Sequence, residues 1–115
     1  MKDILQKIAR DKIKEVENLQ AELPLERLQN MVESRSERPF RDALSKTDTI
    51  NIIAELKQGS PSKGLLTENF NPVLLARQYR DGEAAALSVL TDQKYFYGRH
   101  EYLPMVKRET GLPVL

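Results

Sequence analysis

The chain has 115 residues, of which 40% are hydrophobic and 30% are charged, a composition typical of one globular domain or part of a larger one. Its 18 basic and 17 acidic residues leave a formal net charge of +1, which gives no indication of a nucleic-acid partner. The absence of cysteine excludes disulfides and thiolate zinc sites, and a single histidine argues against a histidine metal site or a serine–histidine triad. We expect no signal peptide and no membrane span, because no apolar run approaches the ~18 residues that a spanning helix needs.

The first part of the chain predicts helices. Asp3 is expected to cap a helix whose apolar residues recur at steps of three and four. A second, shorter amphipathic helix is predicted over residues 25–32, and a short helical turn over residues 39–44. We therefore expect a helical extension over residues 1–49.

From residue 50 the pattern changes to strands that alternate with helices. Apolar runs rich in β-branched and aliphatic residues predict buried strands over residues 50–56 and 84–90, and residues 112–115 predict the beginning of a third. This alternation indicates parallel βαβ units. A domain that stopped there would leave a nascent strand unpaired. We therefore expect residues 50–115 to be the front part of a longer α/β domain.

The helices between these strands have recognisable ends. Asn71 and Pro72 are typical of an N-cap and a first helical residue, and Gly82 is typical of the end of that helix. The next helix is predicted over residues 101–109, with Pro104 expected to disturb its early part.

Two charges stand at the end of the first predicted strand, within the segment IIAELKQGSPSKG, residues 52–64. Residues two apart in a strand face the same side, so Glu55 and Lys57 share a face with Ile53. Two charges there are costly unless they are paired or functional. Both interpretations stay open from the residues alone: an ion pair that closes one end of the sheet, or part of a site, where perturbed charged pairs cluster.

The loop predicted after this strand, residues 58–71, combines hydroxyl, basic and glycine residues. Ser60 and Ser62 offer hydroxyls, Lys63 adds positive charge, and the glycines let backbone amides approach a ligand. That combination suits an anion such as a phosphate. The same residue types also fill ordinary turns, and the spacing is not that of a Walker A loop.

The segment IIAELKQGSPSKG resembles the first barrel strand and loop of the indole-3-glycerol phosphate synthases, whose pattern is Ile-Ala-Glu-x-Lys-x-x-Ser-Pro-Ser-x-Gly. Three later segments resemble the next parts of that family in the right order: FNPVLLARQY its first barrel helix, AAALSVLTDQKYFYG its second strand and loop, and LPVL the opening of its third strand. The N-terminal segments ILQKIARDKIKEV and PLERL resemble its extension of extra helices. The resemblance covers essentially the whole chain.

The resemblance implies a fold and an activity. The fold is the N-terminal portion of a (β/α)8 TIM barrel, with the helical extension over 1–49 and the first βαβα units over 50–115, truncated at the third strand. The activity is that of a cytoplasmic carbon–carbon lyase of tryptophan biosynthesis. It converts 1-(2-carboxyphenylamino)-1-deoxyribulose 5-phosphate into indole-3-glycerol phosphate, with loss of carbon dioxide and water. The implied partner is this phosphorylated small molecule, without metal, organic cofactor, nucleic acid or membrane.

Carried over by position, the resemblance implies roles for five residues. Lys57 contacts the anionic substrate and helps to place it for ring closure, and Glu55 holds Lys57 in charge and orientation. Ser60 faces the substrate. Leu90 and Phe96 pack on the anthranilate ring, although Leu90 also suits plain barrel core and Phe96 a loop anchor.

The chain departs from the family pattern in ways that leave alternatives. The family's general-acid lysine follows its third strand and its general-base glutamate lies on the fourth, so both fall beyond Leu115, and we expect this chain alone to be inactive. Gly59 replaces the small side chain usual before Ser-Pro. One alternative is another phosphate-binding barrel, such as the isomerase one step earlier in the pathway, against which the motif order and the extension argue. The other is a non-catalytic fragment that self-associates or binds a partner through open sheet edges.

Overall fold

The computed structural model describes residues 2–32 and 39–115. The chain forms two compact units, Met1–Ser36 and Glu37–Leu115. The predicted division between residues 49 and 50 stays a prediction, and part of the predicted extension, residues 33–38, lies outside the described residues.

The first unit contains two helices, α1 over Lys2–Glu22 and α2 over Leu25–Asn30. The apolar steps of three and four residues therefore correspond to helices, as predicted. Asp3 lies in the first turn of α1 and not at its N-cap, because the helix already includes Lys2. A carboxylate in that turn still interacts favourably with the positive end of the helix dipole.

Within residues 39–115 the second unit contains four strands and four helices. They are α3 (Phe40–Ala43), β1 (Ile53–Leu56), β2 (Gly59–Ser60), β3 (Gly64–Leu65), α4 (Pro72–Asp81), β4 (Ala86–Val89), α5 (Gln93–Phe96) and α6 (Tyr102–Thr110). The predicted order of helices, strand, helix, strand and helix is confirmed. The structure adds β2, β3 and α5 inside segments that were predicted as loops.

Parallel strands form the sheet at the centre of this unit. β1 pairs with β4 in parallel, and a parallel bridge joins Leu87 of β4 to Val114. The Leu87 amide donates to the Pro113 carbonyl oxygen at 2.9 Å, and the Leu115 amide donates to the Leu87 carbonyl oxygen at 2.8 Å. β4 therefore lies between β1 and residues 113–115, which confirms an α/β fold with parallel strands.

Both long strands are shorter than predicted. The regular ladder begins only where Ile53 stands opposite Ala86, although the Ala85 amide already donates to the Ile52 carbonyl oxygen at 2.9 Å. Ile50 and Ile52 are 84% and 54% exposed, since they precede the paired region. Apolar and β-branched composition alone overestimated the strand, because pairing and not composition sets its ends.

The helices α4 and α6 cover one face of the sheet. The buried residues of the resulting core are Leu56, Ala76, Leu87, Val89 and Val106. Alternate residues of a strand face opposite sides, so β1 directs Ala54 and Leu56 into this core and Glu55 away from it. Each large side chain fully buried here contributes about 1.5–3 kcal/mol relative to an exposed one.

Polar contacts hold α4 against α6. Arg77 Nε lies 2.7 Å from Glu109 Oε1, and an Arg80 guanidinium nitrogen donates to the Glu109 carbonyl oxygen at 3.0 Å. Pro104, expected to disturb α6, occupies its third position. An amide at that position has no acceptor within the helix, so the missing N–H costs nothing there and the helix continues.

The ends of α4 follow from its sequence. Asn71 is the N-cap, and its Oδ1 accepts from the Leu74 amide at 3.0 Å, as predicted. Gly82 is the C-cap, but its φ is −80°, and the left-handed residue is Glu83, with φ of 67°. The Glu83 amide donates to the Arg80 carbonyl oxygen at 2.9 Å, which is part of a Schellman-type closure. A residue with a Cβ therefore occupies the position that glycine usually takes.

We predict that Glu83→Gly stabilises the protein. Glycine adopts the left-handed conformation without the steric penalty of a Cβ, so the free energy of unfolding should rise by about 1 kcal/mol. Urea unfolding measures the change, and Glu83→Ala serves as the matched control, because it removes the carboxylate and keeps the Cβ. An equal gain in both variants would attribute the effect to charge and contradict the explanation from backbone strain.

Candidate active site at the carboxyl ends of the parallel strands

An open ion pair marks the end of β1. Lys57 Nζ lies 3.9 Å from Glu55 Oε1, and the two side chains are 37% and 49% exposed. A pair so open contributes only about 0–1 kcal/mol to stability. As an ion pair that closes the end of the sheet, Glu55 and Lys57 therefore stabilise the fold only weakly. Both groups are accessible to a ligand.

Glu55 is held in place by two neighbours that the sequence did not single out. The parallel register puts Glu55 opposite Ser88, and Ser88 Oγ donates to Glu55 Oε2 at 3.3 Å. From α4, the Tyr79 hydroxyl donates to the Glu55 carbonyl oxygen at 3.0 Å. One carboxylate oxygen thus meets a hydroxyl while the other faces Lys57. A signal for Ser88 existed, since it is the one polar residue in the apolar run AAALSVL.

The loop after β1 forms a small hairpin, defined here as residues 59–65. β2 and β3 pair antiparallel, with Gly59 opposite Leu65 and Ser60 opposite Gly64. Ser60 is only 9% exposed, and its Oγ accepts from the Lys63 amide at 3.3 Å and lies 3.4 Å from Ser62 Oγ. The hydroxyl predicted to face a substrate therefore also closes its own turn.

The segment after β4 folds back on the end of that strand. Leu90 is half-buried, and its amide donates to the Leu56 carbonyl oxygen at 3.2 Å, which places it beside the residue before Lys57. The Gly98 amide donates to the Asp92 carbonyl oxygen at 2.8 Å, and a Cβ built on Gly98 would collide with the Leu90 carbonyl oxygen. Only glycine leaves room for this return of the chain.

Phe96 is the last residue of α5, and it is half-buried. Asp92 is the N-cap of this helix, and its Oδ2 accepts from the Tyr95 amide at 2.6 Å. α5 contacts β2, so the segment that carries Phe96 lies against the one that carries Ser60. This contact between two loops was not predicted from the sequence.

The structure thus gathers the predicted residues into two neighbouring groups. Glu55, Lys57 and Leu90 stand at the ends of adjacent strands, while Ser60 and Phe96 lie on β2 and α5, which touch each other. A cation and a carboxylate beside apolar side chains suit a ligand that is anionic at one part and aromatic at another.

In residues 2–32 and 39–115, no cluster of three or more histidine, cysteine, aspartate or glutamate residues has the arrangement of a metal site. Across the same part of the chain, no helix combines the length and apolar character required to cross a membrane.

We predict that Gly98→Ala destabilises the protein more than Gly64→Ala. Gly98 is hemmed in by backbone atoms of Leu90 and Thr91, whereas Gly64 has φ of +64° and nothing within 4 Å of a built Cβ. Overpacking against rigid backbone costs about 1–3 kcal/mol or more, and left-handed strain about 1–2 kcal/mol. Unfolding free energies of both variants test the order, and a larger loss for Gly64→Ala would show that the Leu90 contact relaxes easily.

The model of the family "Indole-3-glycerol phosphate synthase" matches residues 5–115 of the chain. An indole-3-glycerol phosphate synthase of Priestia megaterium is 46% identical over 113 residues, which cover 97% of this chain and 41% of the relative. One of Zymomonas mobilis subsp. pomaceae is 42% identical over 119 residues, covering 100% of this chain and 45% of the relative.

A longer relative also matches. The "Tryptophan biosynthesis protein TrpCF" of Vibrio cholerae is 46% identical over 116 residues, covering 100% of this chain and 24% of the relative. The chain thus spans about two-fifths of the length of the curated synthases that it matches, 41% and 45% in the two cases above.

Proposed function

Because the chain belongs to the indole-3-glycerol phosphate synthase family, we propose that the protein catalyses the reaction of that family. It converts 1-(2-carboxyphenylamino)-1-deoxyribulose 5-phosphate into indole-3-glycerol phosphate, as a carbon–carbon lyase of tryptophan biosynthesis in the cytoplasm. The match over residues 5–115 carries the proposal. The Glu55–Lys57 pair, accessible at the carboxyl end of a parallel strand, supports it, because α/β barrels place their active sites at that end.

We propose that the parallel sheet is the beginning of a (β/α)8 barrel, with residues 1–49 as a helical extension before it. Three features support this arrangement. β1, β4 and the bridge at Val114 follow one another in parallel, α4 and α6 cover one face, and Glu55 stands on the other face. In a barrel that other face becomes the interior, where substrate contacts gather at the carboxyl ends of the strands.

The proposed role of Lys57 is to bind and place the anionic substrate. Its ammonium group stands on the same side as Glu55 and its side chain is more than one-third exposed, so it can donate to a carboxylate or phosphate oxygen. Glu55 orients the ammonium group through their ion pair, and the hydrogen bond from Ser88 Oγ restrains Glu55. Ring closure also needs an acid at the ketose oxygen, and dehydration needs a base. We propose that neither Glu55 nor Lys57 serves as this acid or as this base.

The remaining residues are proposed to surround the rest of the substrate. Leu90 and Phe96 offer apolar surface to the anthranilate ring, and the Ser60 hairpin closes over one side of the site. No metal or organic cofactor is part of the proposal, since cationic and hydroxyl side chains suffice to bind the anionic groups.

We predict that Lys57→Ala lowers kcat/KM for this conversion by about 100-fold, the equivalent of charge-assisted hydrogen bonds worth about 3 kcal/mol. Lys63→Ala is the matched control. It removes the same charge from the exposed hairpin tip, so the loss should stay below about 3-fold. The fluorescence of the indole product reports the rate in the protein encoded by the complete gene. Equal losses in both variants would reject the assignment of Lys57 to the site.

A second candidate is a non-catalytic module that associates with itself or with a partner. Ile50 and Ile52, just before β1, and Ile53 in β1 are 84%, 54% and 44% exposed. The observation that favours the module is the edge of β1 away from β4, which pairs with no other strand among the described residues. Such an edge pairs readily with another strand.

We predict that residues 1–115, expressed alone, form dimers or larger species and do not turn over the substrate. The exposed isoleucines should drive association. We expect no turnover because the general-acid lysine and the general-base glutamate that the family resemblance implies are not among residues 1–115. Sedimentation velocity gives the size, and the indole fluorescence assay gives the activity. A monomer of 13.2 kDa would contradict the association, and clear turnover would contradict the expected inactivity.

A further inference from the structure

Gly59 lies against the ring of Tyr97. A Cβ built on Gly59 would collide with Tyr97 Cδ2 and would lie 2.7 Å from both Tyr97 Cε2 and the Gly64 carbonyl oxygen. Gly59 is buried at the start of the hairpin. The edge of the ring therefore occupies the space that any other residue at position 59 would fill.

The backbone of Gly59 does not itself require glycine. The positive φ values among the described glycines belong to Gly64 and Gly111, so Gly59 has a conformation that other residues adopt. Glycine is needed here for close approach and not for an unusual dihedral angle. The ring of Tyr97 and the Gly64 carbonyl oxygen are the two neighbours that leave no space for a Cβ at position 59.

Tyr97, in contrast, has an unusual backbone. It is the C-cap of α5 with φ of 58° and ψ of 23°, a left-handed conformation that is rare for an aromatic residue. Tyr97 is 42% exposed, so burial of the whole ring does not account for a tyrosine in this conformation. The ring edge on Gly59 is the contact that the strained conformation secures.

We propose that Tyr97 is a positioning residue, whose ring on Gly59 fixes the Ser60 hairpin against the segment that carries Phe96. The inference rests on the proposed function, since Ser60 and Phe96 matter only as residues around a substrate. Gly59 and Ser60 are neighbours on β2, and Phe96 immediately precedes Tyr97, so the contact sets the distance between two walls of the proposed site. It acts on substrate binding and takes no part in the chemistry.

Three variants separate the effect of the Tyr97 ring from the effect of its left-handed backbone. Tyr97→Phe keeps the ring and loses only the hydroxyl. Tyr97→Asn removes the ring and keeps a residue that tolerates the left-handed conformation. Gly59→Ala keeps Tyr97, but its Cβ displaces the ring and also crowds the Gly64 carbonyl oxygen within the hairpin. All three are made in the protein encoded by the complete gene, and melting temperatures identify any variant whose whole fold is weakened.

The first measurement does not depend on activity. Lys63 is exposed at the hairpin tip, so the rate at which trypsin cleaves after it, followed by mass spectrometry, reports how often the hairpin opens. We expect cleavage to accelerate about 10-fold in Tyr97→Asn and Gly59→Ala and to stay within about 2-fold in Tyr97→Phe. Unchanged cleavage in both ring-displacing variants would overturn the proposal.

The second measurement is the split between KM and kcat. We expect KM to rise about 10-fold in Tyr97→Asn with kcat within about 3-fold of the parent, and Tyr97→Phe to retain the parent's KM. Faster cleavage with an unchanged KM would show that the contact orders the hairpin without positioning the substrate, and would overturn the positioning role. Absence of turnover in the parent would instead refute the proposed function, while the cleavage rates would still decide whether the ring holds the hairpin.

Discussion

The parallel register between β1 and β4 is the constraint from which the candidate site follows. It sets Glu55 opposite Ser88 and Leu56 opposite Val89. Because side chains alternate, the same register that buries Leu56 and Val89 beneath the helices turns Glu55 and Ser88 to the other face. A shift of one residue would put the carboxylate into the apolar core. The position of the charged pair is thus fixed by the burial of its neighbours.

Close approach of the backbone shapes the loops beyond that register. Gly98 allows the segment after β4 to return onto Leu90, and Gly59 allows the ring of Tyr97 to lie on the hairpin. In both places the glycine supplies space and not an unusual dihedral angle. Positive φ angles occur at Gly64 and Gly111, and also at two residues with side chains, Glu83 and Tyr97. The backbone is strained at Glu83 and Tyr97, and at Tyr97 the strain coincides with the contact between the loops.

The sequence predicted those parts of the arrangement that follow from a local pattern, such as the alternation of a strand or the cap of a helix. The two-residue alternation predicted that Glu55 and Lys57 lie on one face of the strand, and Asn71 predicted the beginning of α4. The strand ends were not predictable in the same way, because a ladder ends where its partner ends. The contact of Gly59 with Tyr97 joins residues far apart in the chain, and no local pattern of propensity or period indicates such a pair.

The roles of the site residues came from the family resemblance and stay proposals. A crystal structure of the complete protein with indole-3-glycerol phosphate bound is the most direct test of this active site. We expect an anionic oxygen of the ligand within hydrogen-bond distance of Lys57 Nζ, about 2.7–3.2 Å, and the indole ring against Leu90 and Phe96. A ligand that binds elsewhere, with Lys57 still paired to Glu55 and open to solvent, would contradict the assignment of the active site to this end of the sheet.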